Sequence, residues 1–294
     1  MPNVKKDGIA PLQVKGNQIV NPDGKPVSLA GVSLFWSQWI GKYYTPEAVQ
    51  WLKKDWKATV VRAAIAAVTK RLRLGVMLTP LPRRRPWQVA RQVLTLDHLS
   101  NGRVIFGAGL GGALHDFDWF GEETDAKVRA AMLDEGLQIV RGLWSGESTS
   151  FAGKHYTLAP VRFAPPPVQS HIPIWIGGMW PNHAPMRRAA RFDGVFPLSD
   201  GFPLSPADLA AVKAFIEPLR SDPGAPFDYV ASGLTPGDDP VAGAAQVAPY
   251  IAAGATWWLE TIDPWSRHRD WSVVLGHEEE VWMDARIRRP PPRG

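Results

Sequence analysis

The chain has 294 residues, 45% hydrophobic and 21% charged, with a net charge of +5, enough for one large α/β domain or two small ones. It contains no cysteine, which excludes disulfides, thiolate nucleophiles and cysteine-based metal sites. No apolar run approaches the ~20 residues of a membrane span, residues 1–11 lack the apolar core of a leader, and the basic residues are dispersed apart from Arg83-Arg84-Arg85 and Arg286, Arg288 and Arg289, so the expectation is a cytoplasmic protein with no membrane or nucleic-acid partner.

Leu12 to Val27 predicts a β-hairpin turning at Asn21-Pro22-Asp23-Gly24, where glycine suits a positive φ. Leu29 to Trp36 reads as a strand. Thr45 to Trp56 reads as a helix, with Thr45 as cap, Pro46 in the first turn and Val49, Leu52 and Trp56 on one face. Thr59 to Ala63 is β-branched and apolar and reads as a second strand. Strand and helix then alternate: strand Leu72 to Leu78, helix Pro86 to Leu96, strand Arg103 to Leu110, helix Ala126 to Leu143. "STSFAGKHYTL" is a hairpin inserted in the repeat. Strand Ile174 to Gly177, helix Pro185 to Arg191, strand Gly194 to Pro197, helix Ser205 to Glu217, strand Tyr229 to Gly233, helix Pro240 to Ala253 and strand Thr256 to Thr261 follow, and Trp271 to Met283 closes as a helix. Eight repeat strands over about 250 residues predict a TIM-type (βα)8 barrel as one domain, residues 1–294, whose sites lie at the C-terminal strand ends.

That rule ranks the candidates. "GAGLGG" (Gly107 to Gly112) fits G-x-G-x-x-G after a strand, but His115-Asp116-Phe117-Asp118 stands where a Rossmann helix should start. Either a ligand passes close over this backbone or the glycines make a tight turn. In "IWIGGMWPNHAPMRRAARFDGVF" a strand ends in Gly177-Gly178 before a loop and a helix, a junction whose N–H groups can hold a phosphate or carboxylate. The seven histidines show no metal-ligand spacing, and His115 and His183 alone follow barrel strands. Glu260 can act as acid or base only if it points inward.

Two resemblances arise from longer stretches. "RLRLGVMLTPLPRRRPWQVARQVLTLDHLSNGRVIFGAGLGG", "MLDEGLQIVRGLWSGESTSFAGKHYTLAPVRFAPPPVQSHIPIWIGGMWP", "RRAARFDGVFPL" and "YIAAGATWWLE" make residues 67–294 similar to a bacterial luciferase-like oxidoreductase. The resemblance implies a TIM-type barrel, FMN or a deazaflavin coenzyme as cofactor, and a small-molecule substrate; a homodimer is compatible with it. It places the cofactor phosphate at Gly177, Gly178, Met179 and Trp180, and the ring at Thr79, Gly107 and Gly109. Residues 10–64, "LQVKGNQIVNPDGKPVSLAGVSLFWSQWIGKYYTPEAVQWLKKDWKATVVRAA" in the main, resemble the N-terminus of a family-five glycoside hydrolase. There Arg62 would support a catalytic glutamate and Trp36 would line a sugar cleft, but the two glutamates that such an enzyme needs have no counterpart on later strands. The joint resemblance implies a chimeric barrel, with Trp36, Arg62 and His115 as substrate-pocket candidates; an oxidoreductase with an impaired pocket, a cellulase-like protein and a non-catalytic barrel are the readings it leaves.

The junction "TVVRAAIAAVTKRLRLGVML" leaves Ile65 to Arg71 as the crossover. Seven residues span about 10 Å as helix, against strands of about 17–20 Å. A truncated second helix is therefore expected. Val60, Val61, Ala64, Ile65 and Val68 also form a helical stripe, so one continuous helix is the competing local reading.

Overall fold

The computed structural model describes residues 13–15, 18–20, 70–71, 73–112, 115–200, 203–236 and 239–261. The chain divides into two compact units, the first comprising Met1–Val76, Pro80–Ile105 and Leu110–Ile172, the second Met77–Thr79, Phe106–Gly109 and Pro173–Gly294.

In the first unit, β1 (Gln13–Lys15) and β2 (Gln18–Val20) pair antiparallel with Lys15 opposite Gln18. The turn expected at Asn21 to Gly24 lies outside the described residues. β3 (Leu74–Pro80) leads into a 3-10 turn (Leu81–Arg83) and α1 (Pro86–Ser100). α1 runs a turn beyond the predicted Leu96. Asp97 and Ser100 are buried there: Asp97 Oδ2 accepts from the Val168 and Gln169 amides at 2.8 and 3.2 Å, and Ser100 Oγ donates to the Asp97 carbonyl. A buried, fully bonded carboxylate reads in sequence like a polar stop. Asn101, left-handed at φ 54°, ends the helix.

β4 (Val104–Gly109) is followed by the short α2 (His115–Asp118) and the long α3 (Ala126–Trp144). Asp125 caps α3 by accepting from the Lys127 and Val128 amides at 2.7 and 3.0 Å. Those two backbone donors hold its carboxyl below the ordinary aspartate value. α1 packs on α3, with Leu133, Leu137 and Val140 buried as the periodicity requires and Trp144 Nε1 donating to the Ala90 carbonyl at 3.0 Å. β5 (Thr149–Ala152) and β6 (Thr157–Val161) form the inserted hairpin. Glu135 of α3 accepts from the amides of Lys154, His155 and Tyr156 at 2.8, 2.9 and 3.0 Å. Burial alone would push this carboxyl up, yet the three backbone donors hold it below the usual glutamate value.

The second unit is built on Met77–Thr79 of β3 and Phe106–Gly109 of β4 with β7 (Ile174–Met179), β8 (Gly194–Leu198), β9 (Asp228–Gly233) and β10 (Trp257–Glu260), the last four joined by α4 (His183–Ala189), α5 (Pro206–Ile216) and α6 (Pro240–Ala252). The six-stranded sheet has the order β3-β4-β7-β8-β9-β10, and every pair from β4 to β10 is parallel. This α/β architecture with a parallel sheet is what the alternation predicts, and six of the eight expected repeat strands are seen. The predicted strands Leu29 to Trp36 and Thr59 to Ala63, the truncated second helix, Trp36, Arg62 and the helix Trp271 to Met283 lie outside the described residues. Among the described residues no helix is long and apolar enough to cross a membrane.

Candidate functional site

Alternation along the parallel strands of the second unit sorts its side chains. Gly178 faces Pro185 of α4, whose Cγ would lie 2.6 Å from an added Cβ, and the Trp258 ring meets Tyr250 of α6 at 5.1 Å. These residues mark the helix-covered face. Trp175, Gly177 and Met179 of β7 therefore point to the opposite face. There Trp175 and Trp257 approach within 5.2 Å between ring centres, and both indoles donate to one carboxylate, Trp175 Nε1 to Asp228 Oδ2 at 3.0 Å and Trp257 Nε1 to Asp228 Oδ1 at 2.9 Å. Thr256 Oγ1 donates to the same carboxylate at 3.1 Å. Asp228 thus ties β7, β9 and β10 together near the strand starts, a stabilising position in such folds.

At the other end of that face lies a glycine saddle. A Cβ at Gly109 would come 3.0 Å from Leu78 Cδ1, and one at Gly177 would come 2.9 Å from Leu78 Cγ and Cδ2. Leu78 therefore occupies the space that two missing side chains vacate, and it stays partly exposed. The strand registers set Met179 beside Leu198 and Leu259 beside Ser232. The β8–β9 offset, Gly194 beside Asp228, carried along the strands brings Leu198 beside Ser232. Met179, Leu198, Ser232 and Leu259 form one row at the C-terminal rim.

The residues singled out from sequence fall as follows. Thr79 is buried at 8% exposure near the end of β3. Gly107 and Gly109 are buried strand residues, not loop. Their neighbour Gly111, at φ +83°, leaves room for Phe117, whose Cζ would lie 2.8 Å from an added Cβ. The close approach that the glycine pattern foretells is thus made, at Gly109 and Gly111, by the chain's own Leu78 and Phe117. Gly177 and Gly178 are also strand residues, paired with Phe196 and Pro197. β7 runs two residues past its predicted end because its partner β8 continues alongside. Met179 is 41% exposed; the Trp180 amide donates to the Leu198 carbonyl at 2.7 Å. Trp180 joins His183 and Phe215, with His183 stacked on Phe215 at 4.2 Å. His115 opens α2; its side chain lies outside the described residues. Glu260 shares the helix-covered side with Trp258, whose Nε1 donates to it at 2.9 Å, and it also accepts from the Thr235 amide and hydroxyl at 2.7 and 3.1 Å. Three donors commit this carboxylate to holding the loop after β9, which argues against the acid-base role.

The first unit holds a separate cleft of about 200 Å³, lined by Pro82, Arg83, Phe117, Glu122, Glu123, Arg129 and Met132. Arg83 pairs with Glu122 through both carboxylate oxygens, and Glu123 accepts from the Asp125 amide at 2.8 Å. Arg129 is less committed. It lies 4.1 Å from the Phe117 ring centre and donates to the Gly111 carbonyl over a long 3.4 Å, while its Nε is buried without a partner among the described residues. With Glu122 engaged by Arg83, Arg129 is the less committed of the two cations that line the cleft. No local pattern marks it, since it joins the turn after β3, the loop after β4 and α3; only the run "RRR" hinted at a cation there.

The protein-family model for luciferase-like monooxygenases matches residues 35–279. The chain is 33% identical over 147 residues to an F420-dependent glucose-6-phosphate dehydrogenase of Amycolatopsis mediterranei, a match covering 49% of this chain and 44% of that protein. Among solved structures it resembles the coenzyme F420 dependent tetrahydromethanopterin reductase of Methanopyrus kandleri, at TM-score 0.56 and 16% identity, over 68% of this chain and 81% of that one. It also resembles a riboflavin lyase solved with modified FMN, at TM-score 0.51 and 17% identity, over 69% and 52% of the two chains. At these identities the solved structures speak to the fold alone. The chain spans about half the length of the curated relatives it matches. Residues 35–64, part of the stretch that resembles a glycoside hydrolase, lie inside the family match, and none of these proteins supports a hydrolase part or a junction of two families. With its parallel βα architecture, the chain belongs to the luciferase-like monooxygenase family.

Proposed function

We propose that the chain is an oxidoreductase that binds a deazaflavin coenzyme or FMN and acts on a small molecule. The observation that carries this reading is the saddle of Gly109 and Gly177 under Leu78. It offers a flat, apolar, partly exposed floor at the C-terminal ends of β3, β4 and β7, where sites of parallel βα folds lie. A planar ring fits such a floor. Gly107, Gly109, Gly177 and Met179 share the face of that floor, whereas Gly178 belongs to the helix-covered face; with Thr79 and Trp180 they are the residues that the family resemblance assigns to the cofactor. When bound, the cofactor supplies the redox chemistry; the chain positions it and excludes water. By itself, the Arg129 cleft is assigned to an oxyanion. The deazaflavin is favoured over FMN by the name of the curated relative at 33% identity. No sugar cleavage belongs to this reading, and the hydrolase likeness of residues 10–64 stays a sequence resemblance.

The test is titration of the protein with the deazaflavin coenzyme and with FMN, following quenching of ring fluorescence. Saturable quenching by either, weakened about 10-fold or more in Leu78→Ala because a buried leucine contributes roughly 1.5–3 kcal/mol, supports it. No quenching by either overturns it.

A further inference from the structure

We propose that the cleft lined by Arg129 in the first unit binds a free α-amino acid with an apolar side chain; this rests on the assignment of that cleft to an oxyanion above and identifies the oxyanion as the amino acid's carboxylate. Among the described residues the charged side chains that line the cleft are Arg83, Arg129, Glu122 and Glu123. Arg83 engages both carboxylate oxygens of Glu122. One cation and one carboxylate, Arg129 and Glu123, then face the same small space from either side of the α3 cap, Asp125. Both are held in place. The Arg129 guanidinium lies 4.1 Å from the centre of the buried Phe117 ring and donates to the Gly111 carbonyl. Glu123 Oε1 accepts from the Asp125 amide at 2.8 Å.

A guanidinium carries five N–H donors, and the contacts of Arg129 among the described residues use one of them, over a long 3.4 Å. The planar fork suits a carboxylate, which it meets through two parallel hydrogen bonds. A simple monoanion would answer Arg129 but would bring a like charge towards Glu123. A zwitterion answers both, its carboxylate on Arg129 and its ammonium on Glu123. The remaining wall is apolar, with Pro82, Phe117 and Met132, and the thioether of Met132 adapts to irregular shapes. The cleft holds about 200 Å³. An apolar cavity of about 150 Å³ accepts benzene, so a leucine-sized molecule is of the right volume. A ligand with only one of the two charges would leave the other side chain unanswered, which is how the cleft selects.

The experiment titrates L-leucine, 4-methylpentanoate (leucine without its ammonium) and 3-methylbutylamine (leucine without its carboxylate) into the full chain, and reads binding by calorimetry and melting temperature. Inorganic phosphate, titrated alongside, reports the oxyanion assignment, and quenching of the deazaflavin or FMN reports the cofactor floor, so failures of the three readings remain distinct. The expected result is saturable binding of leucine, about 10-fold or more tighter than either analogue, the worth of one charge-assisted hydrogen bond. Arg129→Ala weakens leucine and the acid by that factor and leaves the amine unchanged. Glu123→Gln weakens leucine and the amine and leaves the acid unchanged. This crossed pattern belongs to direct contact and not to a loss of folding. Met132→Trp fills the cleft and abolishes leucine binding while cofactor quenching persists. Leucine binding that is absent, no tighter than that of the two analogues, or undiminished in a folded Glu123→Gln or Met132→Trp protein overturns the proposal.

Discussion

Gly177→Ala probes the saddle directly. The backbone there is an ordinary strand, so the substitution brings no conformational penalty and even a gain of about 0.4–1 kcal/mol from the unfolded chain. The new methyl, however, would overlap Leu78 Cδ1 and stand 2.9 Å from its Cγ and Cδ2, closer than carbon atoms tolerate. Leu78 is held beneath by Gly109, whose own Cβ position is 3.0 Å from Leu78 Cδ1, so it can yield only away from the sheet. Overpacking of this kind costs about 1–3 kcal/mol, leaving a net loss of about 1–2 kcal/mol and a fall in melting temperature of roughly 2–8 °C for a chain of this size. The displaced leucine moves into the volume assigned to the cofactor ring. Deazaflavin or FMN affinity therefore falls about 10-fold or more, beyond what the stability loss explains. Leu78→Ala in the Gly177→Ala background relieves the clash and recovers part of the melting temperature, a coupling expected between touching side chains. A Gly177→Ala protein that melts and binds cofactor like the parent would refute the saddle.

Asp228→Ala removes the acceptor of two indoles and a hydroxyl; the buried Trp175 donor left unpaired costs roughly 1–3 kcal/mol, the half-buried Trp257 and exposed Thr256 less, and a melting-temperature loss with a shift in tryptophan emission is expected. Glu135, whose carboxyl lies below its ordinary value, contributes stability that is present above the unfolded-state pKa and lost as pH falls through the lowered folded value. Amide exchange at Lys154 to Tyr156 should thus accelerate on acidification below about pH 4, and Glu135→Gln should flatten that profile. Arg129→Ala should weaken inorganic phosphate binding about 10-fold, read by calorimetry, with an unchanged melt, because the side chain's protein contacts are one long hydrogen bond and a ring.

The sequence carried the parallel repeat well, since β-branched strands and capped helices are local features: Ser205 Oγ accepts from the Asp208 amide as its position before Pro206 suggests. It missed what depends on partners distant along the chain. α1 outlasts its apolar stripe because Asp97 is bonded to a segment 71 residues away. The glycines at 107–112 and 177–178 were legible as points of close approach, but not which atoms approach. The row of Met179, Leu198, Ser232 and Leu259 exists only through strand register, and the Arg129 cleft only through the meeting of three separated segments.

 Binding of a flavin-type cofactor at the Leu78 floor is tested most directly by the fluorescence titration with the deazaflavin coenzyme and FMN, run side by side on the parent and Leu78→Ala. Saturable quenching by at least one cofactor is expected in the parent, with an affinity about 10-fold or more weaker in the variant. Quenching by neither, or equal affinity in the two proteins, would contradict it.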